Sequence, residues 1–408
     1  MVSTIKHGIS ENKSQIILQL VQVFLVGLTI GMTRTVIPGL ADTEFGLGSQ
    51  QFLLLTSFVV VFGVVKAIMN LLAGRLSDGY GRKRVLVAGW IVAIPIPFMI
   101  LFASNWSWIV AATLLLGVNQ GLCWSMTINS KLDLARLNQK GLVNGINEFS
   151  GYAAVAIAGV VTAYMVDFMD AREGLFIFGI IVILLGLVSS IFSIKETMPW
   201  ARSHQTGVIS TQQSLSSLFI QASWKNKVLL SLNQAGLVEK FTDAMVWIFL
   251  PIFFLSKNLT LVEGSAIVSV YAVVWGGLQL ITGPLSDKIG RKILIVGGMW
   301  LCGLGLLSIP YTSSVFLWTV EAGIIGMGMA MLYPTLGAAV ADFSPVESRG
   351  TLLGIYRFWR DFGYAVAALT LGIIAQMTQA LISPFLLASA AMILSGAYVL
   401  IAVPSRVD

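Results

Sequence analysis

The sequence predicts an all-α polytopic membrane protein, with twelve transmembrane helices arranged as two pseudo-symmetric six-helix bundles. Three observations predict it. Apolar residues gather in runs of about 20, the length that crosses about 30 Å of hydrocarbon as a helix. Charged residues make up only 11% of the 408, against about 25% in a soluble globular chain. The second half of the chain also repeats the first at a constant offset of 209 residues.

Polar breaks between the apolar runs place helices at 15–40, 50–74, 84–104, 107–131, 140–167 and 173–193. A second set falls at 226–256, 262–283, 293–313, 315–341, 349–379 and 383–403. One long polar stretch, KETMPWARSHQTGVISTQQSLSSLFIQASWKN, separates the sets. We therefore expect an N-terminal bundle over 1–199, a cytoplasmic linker over 200–224 and a C-terminal bundle over 225–408. The polar opening MVSTIKHGISENKS and the lack of a small-residue cleavage site make the first run a retained helix, not a signal peptide.

Loop charges set the orientation. The loops after helices 2, 4, 6, 8 and 10 carry Arg82, Lys83, Arg84, Arg136, Lys195, Lys288, Arg291 and Lys292. The alternate loops carry mainly acids, among them Asp42, Glu44, Asp170, Glu173 and Glu263. The positive-inside rule then puts both termini in the cytoplasm of a multi-pass inner-membrane protein. This asymmetry accounts for the net charge of +6 without invoking nucleic acid.

Catalytic chemistry finds little to work with. Cys123 and Cys302 each lie inside an apolar run, as buried small residues do, and His7 and His204 lie in polar segments. No metal cluster and no nucleophile–base set can be assembled. No cofactor is expected, and the absence of a nucleotide-binding motif argues against ATP-driven transport.

The repeat is specific. GRLSDGYGRKR at 74–84 returns as GPLSDKIGRKI at 283–293, so Gly74, Asp78, Gly81 and Arg82 recur as Gly283, Asp287, Gly290 and Arg291. The same offset links Gly27 to Gly236, Gly117 to Gly326, Asp133 to Asp342 and Gly141 to Gly350. A parallel repeat of two six-helix halves joined by a long loop resembles the major facilitator superfamily, over the whole chain. In that superfamily G-x-L-x-D-x-x-G-R-K lies between helices 2 and 3, and more weakly between 8 and 9. The resemblance implies that Asp78, Arg82, Asp287 and Arg291 latch the halves in one state and release them in the other. Gly81 would permit the tight turn, and Gly74 a close helix approach.

Charges near a bilayer centre cost about 2.5–3.5 kcal/mol on insertion scales, so they face an interior or a cavity. Here they are Arg34, Lys66, Glu148, Glu239, Lys240, Asp243, Arg357, Arg360 and Asp361, on helices 1, 2, 5, 7 and 11. Helices 3, 6, 9 and 12 have none well inside, and in the superfamily those four form the outer rim. Arg357, Arg360, Asp361 and Tyr364 share one helix face, as do Asn144, Glu148 and Tyr152. Phe358, Trp359 and Phe362 point elsewhere.

Under the repeat, Arg34 corresponds to Asp243 and Glu148 to Arg357, two pairs of opposite sign. We expect Arg34–Asp243 to close the outer side in one state, with a charge swap restoring activity. Glu148–Arg357 would contribute to inner closure or to ligand binding in the other. Lys66, whose counterpart is Trp275, is expected to meet Asp361 or the substrate. Trp124 and Tyr333, themselves 209 apart, and the amides Asn119, Gln120 and Asn129 are further candidates for ligand contact or helix packing.

Arginine's rigid fork suits carboxylate or phosphate, so a small anionic metabolite is the expected substrate. Buried carboxylates can exchange protons, making Glu148 or Asp361 the first candidates for proton coupling in a monomeric secondary transporter. Two features of drug exporters are missing: a helix-4 arginine, where Gly117 stands, and a helix-5 Gly-Pro. Export of lipophilic or cationic compounds stays open as an alternative, as does a non-transporting sensor or scaffold.

Overall fold

A computed structural model describes residues 6–47, 51–136, 139–203, 214–345 and 348–404. His204 and linker residues 204–213 lie outside the described residues, as do the side chain of Asp42 and the surroundings of Gly141. The described chain is 88% helical and contains no strand.

The first half builds α1 (Lys13–Thr43), α2 (Phe52–Tyr80), α3 (Arg82–Ala93), α4 (Pro95–Leu101), α5 (Trp106–Leu134), α6 (Lys140–Phe168) and α7 (Ala171–Phe192). The expected third helix is divided into α3 and α4 because Pro95 has no N–H to continue the ladder. Short helices α8 (Met198–Ser203) and α9 (Leu215–Ile220) follow, the latter running into a π turn at Gln221–Lys225. The second half builds α10 (Lys227–Ala244), α11 (Leu250–Ser256), α12 (Leu261–Ile289), α13 (Arg291–Ser308), α14 (Val315–Asp342), α15 (Arg349–Thr378) and α16 (Ile382–Ala402).

Among the described residues, eleven helices are long and apolar enough to cross a membrane. The expected helix at 226–256 is the one outside that count. It is broken into α10, a π turn at Met245–Phe249, and α11. Pro251 accounts for the break: its ring clashes with the carbonyl four residues back, and widening the preceding turn relieves the clash. Glu239, Lys240 and Asp243 in α10 further reduce its apolar character.

The 209-residue repeat is visible in the packing. A Cβ on Gly117 of α5 would press on the Phe62 carbonyl of α2; one on Gly326 of α14 would press on the Tyr271 carbonyl of α12. Each contact is the other shifted by 209. Such small residues let helix backbones approach where lipid gives no hydrophobic drive. Exposed apolar side chains lie on most of the long helices, among them Ile181, Leu185 and Phe192 on α7, Phe168 on α6, Phe316 on α14 and Ile401 on α16.

The two sets meet along α2–α15 and α6–α12. On α2–α15 the closest backbone approach lies toward the end away from the GRLSD and GPLSD loops, here called the far end. There Gly63 lies against Tyr364 and Ala365, and Gly372 against Thr56. Toward the loop end, a Cβ on Gly74, Gly350 or Gly354 would find nothing within 4 Å. The close helix approach expected of Gly74 is therefore not seen: its Cβ position faces open space.

Candidate functional site

At mid-depth between the two sets lies a cavity. Its wall includes Arg34 from α1, Lys66 and Asn70 from α2, Trp124 and Ser125 from α5, and Tyr152 from α6. Tyr333 of α14 and Arg357, Arg360, Asp361 and Tyr364 of α15 complete it. The α15 stretch presents one polar face, as its i, i+3, i+4, i+7 spacing predicts. Phe358 and Trp359 turn away onto Phe219 of α9, and the Trp359 indole donates to Ser223 at 2.8 Å.

Toward the far end the wall is closed by a charged knot. Arg34 Nη1 lies 3.6 Å from Asp243 Oδ1, and Arg34 Nη2 donates to the Tyr364 hydroxyl at 3.1 Å. Tyr364 in turn donates to Asp243 Oδ2 at 2.7 Å. Tyr271 donates to Asp243 Oδ1 at 2.9 Å, and Lys240 Nζ to Oδ2 at 2.9 Å. Asp243 is fully buried, and these donors satisfy both its oxygens, the condition for holding a charge away from water. The guanidinium of Arg34 also lies 4.9 Å over the Trp247 ring.

A second cluster surrounds Asp361. Arg360 Nε approaches it at 3.3 Å, and the Asn70 amide donates to its other oxygen. Ser125 holds Asn70 in that orientation, donating to its carbonyl at 3.0 Å. Arg360 also stacks 4.6 Å over Tyr333. Asn70 was not picked out from the sequence, although it lies four residues after Lys66 on the same face.

Two cations are left over. Among the described residues, Lys66 and Arg357 make no ion pair. Lys66 Nζ instead lies 5.3 to 5.8 Å from the Tyr364, Phe62 and Trp124 rings. Glu148 and Arg357, expected to act in the other state, form no ion pair in this one among the described residues. Glu148 Oε1 accepts from the Trp124 indole at 3.2 Å and from Asn147 at 2.9 Å, and its Oε2 has no hydrogen-bond partner.

Aromatic rings make up much of the remaining wall. Tyr152 and Trp275 approach across the two sets with centroids 3.6 Å apart. Trp124 and Tyr333 flank Tyr152, each at 5.8 Å. The candidate amides of α5 go elsewhere. Asn119 donates to the Gly89 carbonyl at 3.0 Å and Gln120 to the Val26 carbonyl at 3.0 Å, tying α5 to its neighbours.

The repeated loops are built alike. Gly81 and Gly290 have φ of 91° and 96°, where a side chain would be strained. Arg82 Nε reaches Asp133 at 3.2 Å, and Arg291 Nε reaches Asp342 at 3.0 Å. Each arginine also pairs with the aspartate four residues before it, Asp78 or Asp287. Asp78 is 70% and Asp287 63% exposed, so neither is locked into the opposite set.

Comparison with known proteins matches the model of the Major Facilitator Superfamily over residues 20–368 and 235–407. A protein of Cupriavidus pinatubonensis named "Probable 4-methylmuconolactone transporter" is 27% identical over 74% of this chain and 70% of its own length. The class H tetracycline resistance protein of Pasteurella multocida is 22% identical over 84% of this chain and 85% of its own. Among solved structures, a D-xylose–proton symporter superposes with a TM-score of 0.76 over 96% of this chain and 99% of its own, at 16% identity.

Proposed function

The chain belongs to the Major Facilitator Superfamily, and on that premise we propose that it is a proton-coupled secondary transporter that carries a small organic anion by alternating access. The observation that carries this reading is the pair of uncompensated cations, Lys66 and Arg357. They line a cavity whose other cations, Arg34 and Arg360, each already have a carboxylate. Unpaired positive charge in a low-dielectric site favours an anionic ligand, and the arginine fork suits a carboxylate. Aromatic walls at Trp124, Tyr152 and Tyr333 suit a flat or cyclic body. The 4-methylmuconolactone of the relative's name, a small carboxylate-bearing lactone, has that chemistry.

The same reading supplies a layout. Twelve spans form bundles over 1–199 and 225–408, joined by a linker over 200–224, in a monomer of the inner membrane. Loop charge supports cytoplasmic termini. The far end then faces outward, and its close α2–α15 packing corresponds to a state closed outside and parting inside. Exposed Asp78 and Asp287 fit a released latch.

The test is a melting-temperature screen of the purified protein with carboxylates, 4-methylmuconolactone among them, beside lipophilic cations. A ligand at about 100 times its Kd stabilises by about 2.7 kcal/mol. Stabilisation by an anion that disappears in Arg357→Gln supports the reading. The likeness to a tetracycline resistance protein and the ring-rich wall favour a second reading, export of lipophilic compounds. Stabilisation by cations alone, unchanged in Arg357→Gln, would select it and overturn the first.

A further inference from the structure

One buried carboxylate is not used by the site as described. Glu239 of α10 is 0% exposed, and neither of its oxygens accepts a hydrogen bond among the described residues. Its charge partner is Lys240 Nζ, 3.2 Å from Oε1. That ammonium is already committed, donating at 2.9 Å to Asp243. One lysine therefore serves two carboxylates.

The surroundings offer Glu239 little else. From α15, Arg360 and Tyr356 act on it, but Arg360 pairs with Asp361 and the Tyr356 hydroxyl bonds to nothing among the described residues. From α13 comes only Cys302, and from α14 Tyr333, whose ring faces Lys240 at 5.1 Å. The sequence of α16 carries no charged residue. By contrast Asp243 has three hydrogen-bond donors besides the Arg34 ion pair, Asp361 two and Glu148 two. A buried carboxylate without hydrogen bonds is the one that gains most by taking a proton.

We infer that Glu239 is a proton-binding site placed to loosen the Arg34–Asp243 bridge when it is occupied. The inference rests on the proton-coupled reading and names the residue that would do the coupling. One proton adds to a Glu239 oxygen and makes it neutral. Lys240 then has Asp243 as its sole carboxylate and moves fully onto it. Asp243, better neutralised from within α10, holds Arg34 of α1 less firmly, and the far end is freer to part. Loss of the proton reverses each step. Asp361 and Glu148, expected from the sequence to be the coupling carboxylates, are better satisfied and so less suited to the task.

The test needs no substrate. Spin labels at Leu53→Cys and Gln376→Cys report the far-end distance between α2 and α15, where Leu53 N and Gln376 Oε1 are 3.5 Å apart. Pulsed distance measurements are made on the purified full-length protein from mildly acidic to mildly alkaline pH. In the labelled parent, the separated population is expected to grow as pH falls. Glu239→Gln should hold the low-pH distribution at every pH. Glu239→Asp, which keeps the carboxylate, should keep the pH response with a displaced midpoint.

A Glu239→Gln protein that responds to pH as its parent does would overturn the inference. So would a parent with no pH response, or an unmoved midpoint in Glu239→Asp. Failure of the transporter reading looks different: no solute would raise the melting temperature of the wild type, whatever the far-end distances do.

Discussion

Arg34 of α1 and Asp243 of α10 bridge the two sets of helices at 3.6 Å, and the bridge is unequal, because Asp243 also neutralises Lys240. Removing the aspartate leaves two buried cations without it, whereas removing the arginine leaves Asp243 paired with Lys240. Losing one partner of a buried pair costs about 3–5 kcal/mol. Asp243→Asn is expected near or above the top of that range and Arg34→Gln well below it. Thermal unfolding of the two purified variants checks the order. The same geometry revises the charge-swap expectation: an arginine at 243 would face Lys240, so the swapped double variant should remain inactive in flux assays.

The two uncompensated cations should behave in the opposite way. Among the described residues Arg357 and Lys66 have no ion-pair partner to orphan, so Arg357→Gln and Lys66→Gln are expected to keep or slightly raise the ligand-free melting temperature. A charge-assisted hydrogen bond contributes about 1.5–3 kcal/mol. Each variant should therefore lose about 10- to 150-fold in affinity for a stabilising anion, read by calorimetric titration. A fall in ligand-free stability comparable to Asp243→Asn would mean that these cations are structural.

Apolar run length, loop charge and the 209-residue repeat made the helices legible, because bilayer thickness and insertion cost act on local sequence. The meeting of Arg34 with Asp243 was legible as well, since the repeat puts them at equal depth on opposite sets. Depth alone does not decide which neighbours share a charge in a given state. In this state Glu148 accepts from the Trp124 indole of α5 and from its own neighbour Asn147, and Asp361 from Asn70 of α2 as well as from Arg360. Neutral donors such as Trp124, Asn147 and Asn70 are not marked by charge or depth. The π turn at Met245–Phe249 was missed although Pro251 signals it. An apolar run was read as a continuous helix across its proline.

The two loop motifs are alike in their arginines, and the helix after the first is capped from outside the motif. Glu196 accepts from the Arg82 and Lys83 backbone N–H groups at 2.9 and 3.1 Å. These are orphan donors at the start of α3. Gly81 and Gly290, the residues before α3 and α13, supply no side-chain cap of their own, and the position 209 after Glu196 lies outside the described residues. Glu196→Ala is expected to lower stability by about 1 kcal/mol, the typical cost of a lost N-cap. Hydrogen exchange should localise the loosening to the first turn of α3 and leave α13 unchanged.

Far-end closure depends on the missing side chain of Gly63. A Cβ there would lie 2.5 Å from the Ala365 backbone nitrogen and 2.7 Å from Tyr364 Cβ. Neither is the tip of a flexible side chain, so neither can step aside. In Gly63→Val, α2 and α15 must separate, and Tyr364 must move with α15. Because Tyr364 accepts from Arg34 and donates to Asp243, the separation also removes the hydroxyl that joins the bridge. Phe52, 3% exposed and stacked 6.4 Å from Phe249 at the same end, reports the result. As Phe52→Cys it should react slowly with a water-soluble thiol reagent in the parent and at least tenfold faster beside Gly63→Val. Gly74→Val, on the same helix where a Cβ meets nothing within 4 Å, should leave the rate unchanged. Equal acceleration by both would show that any bulk on α2 loosens the bundle, and that Gly63 has no special part in holding the far end shut.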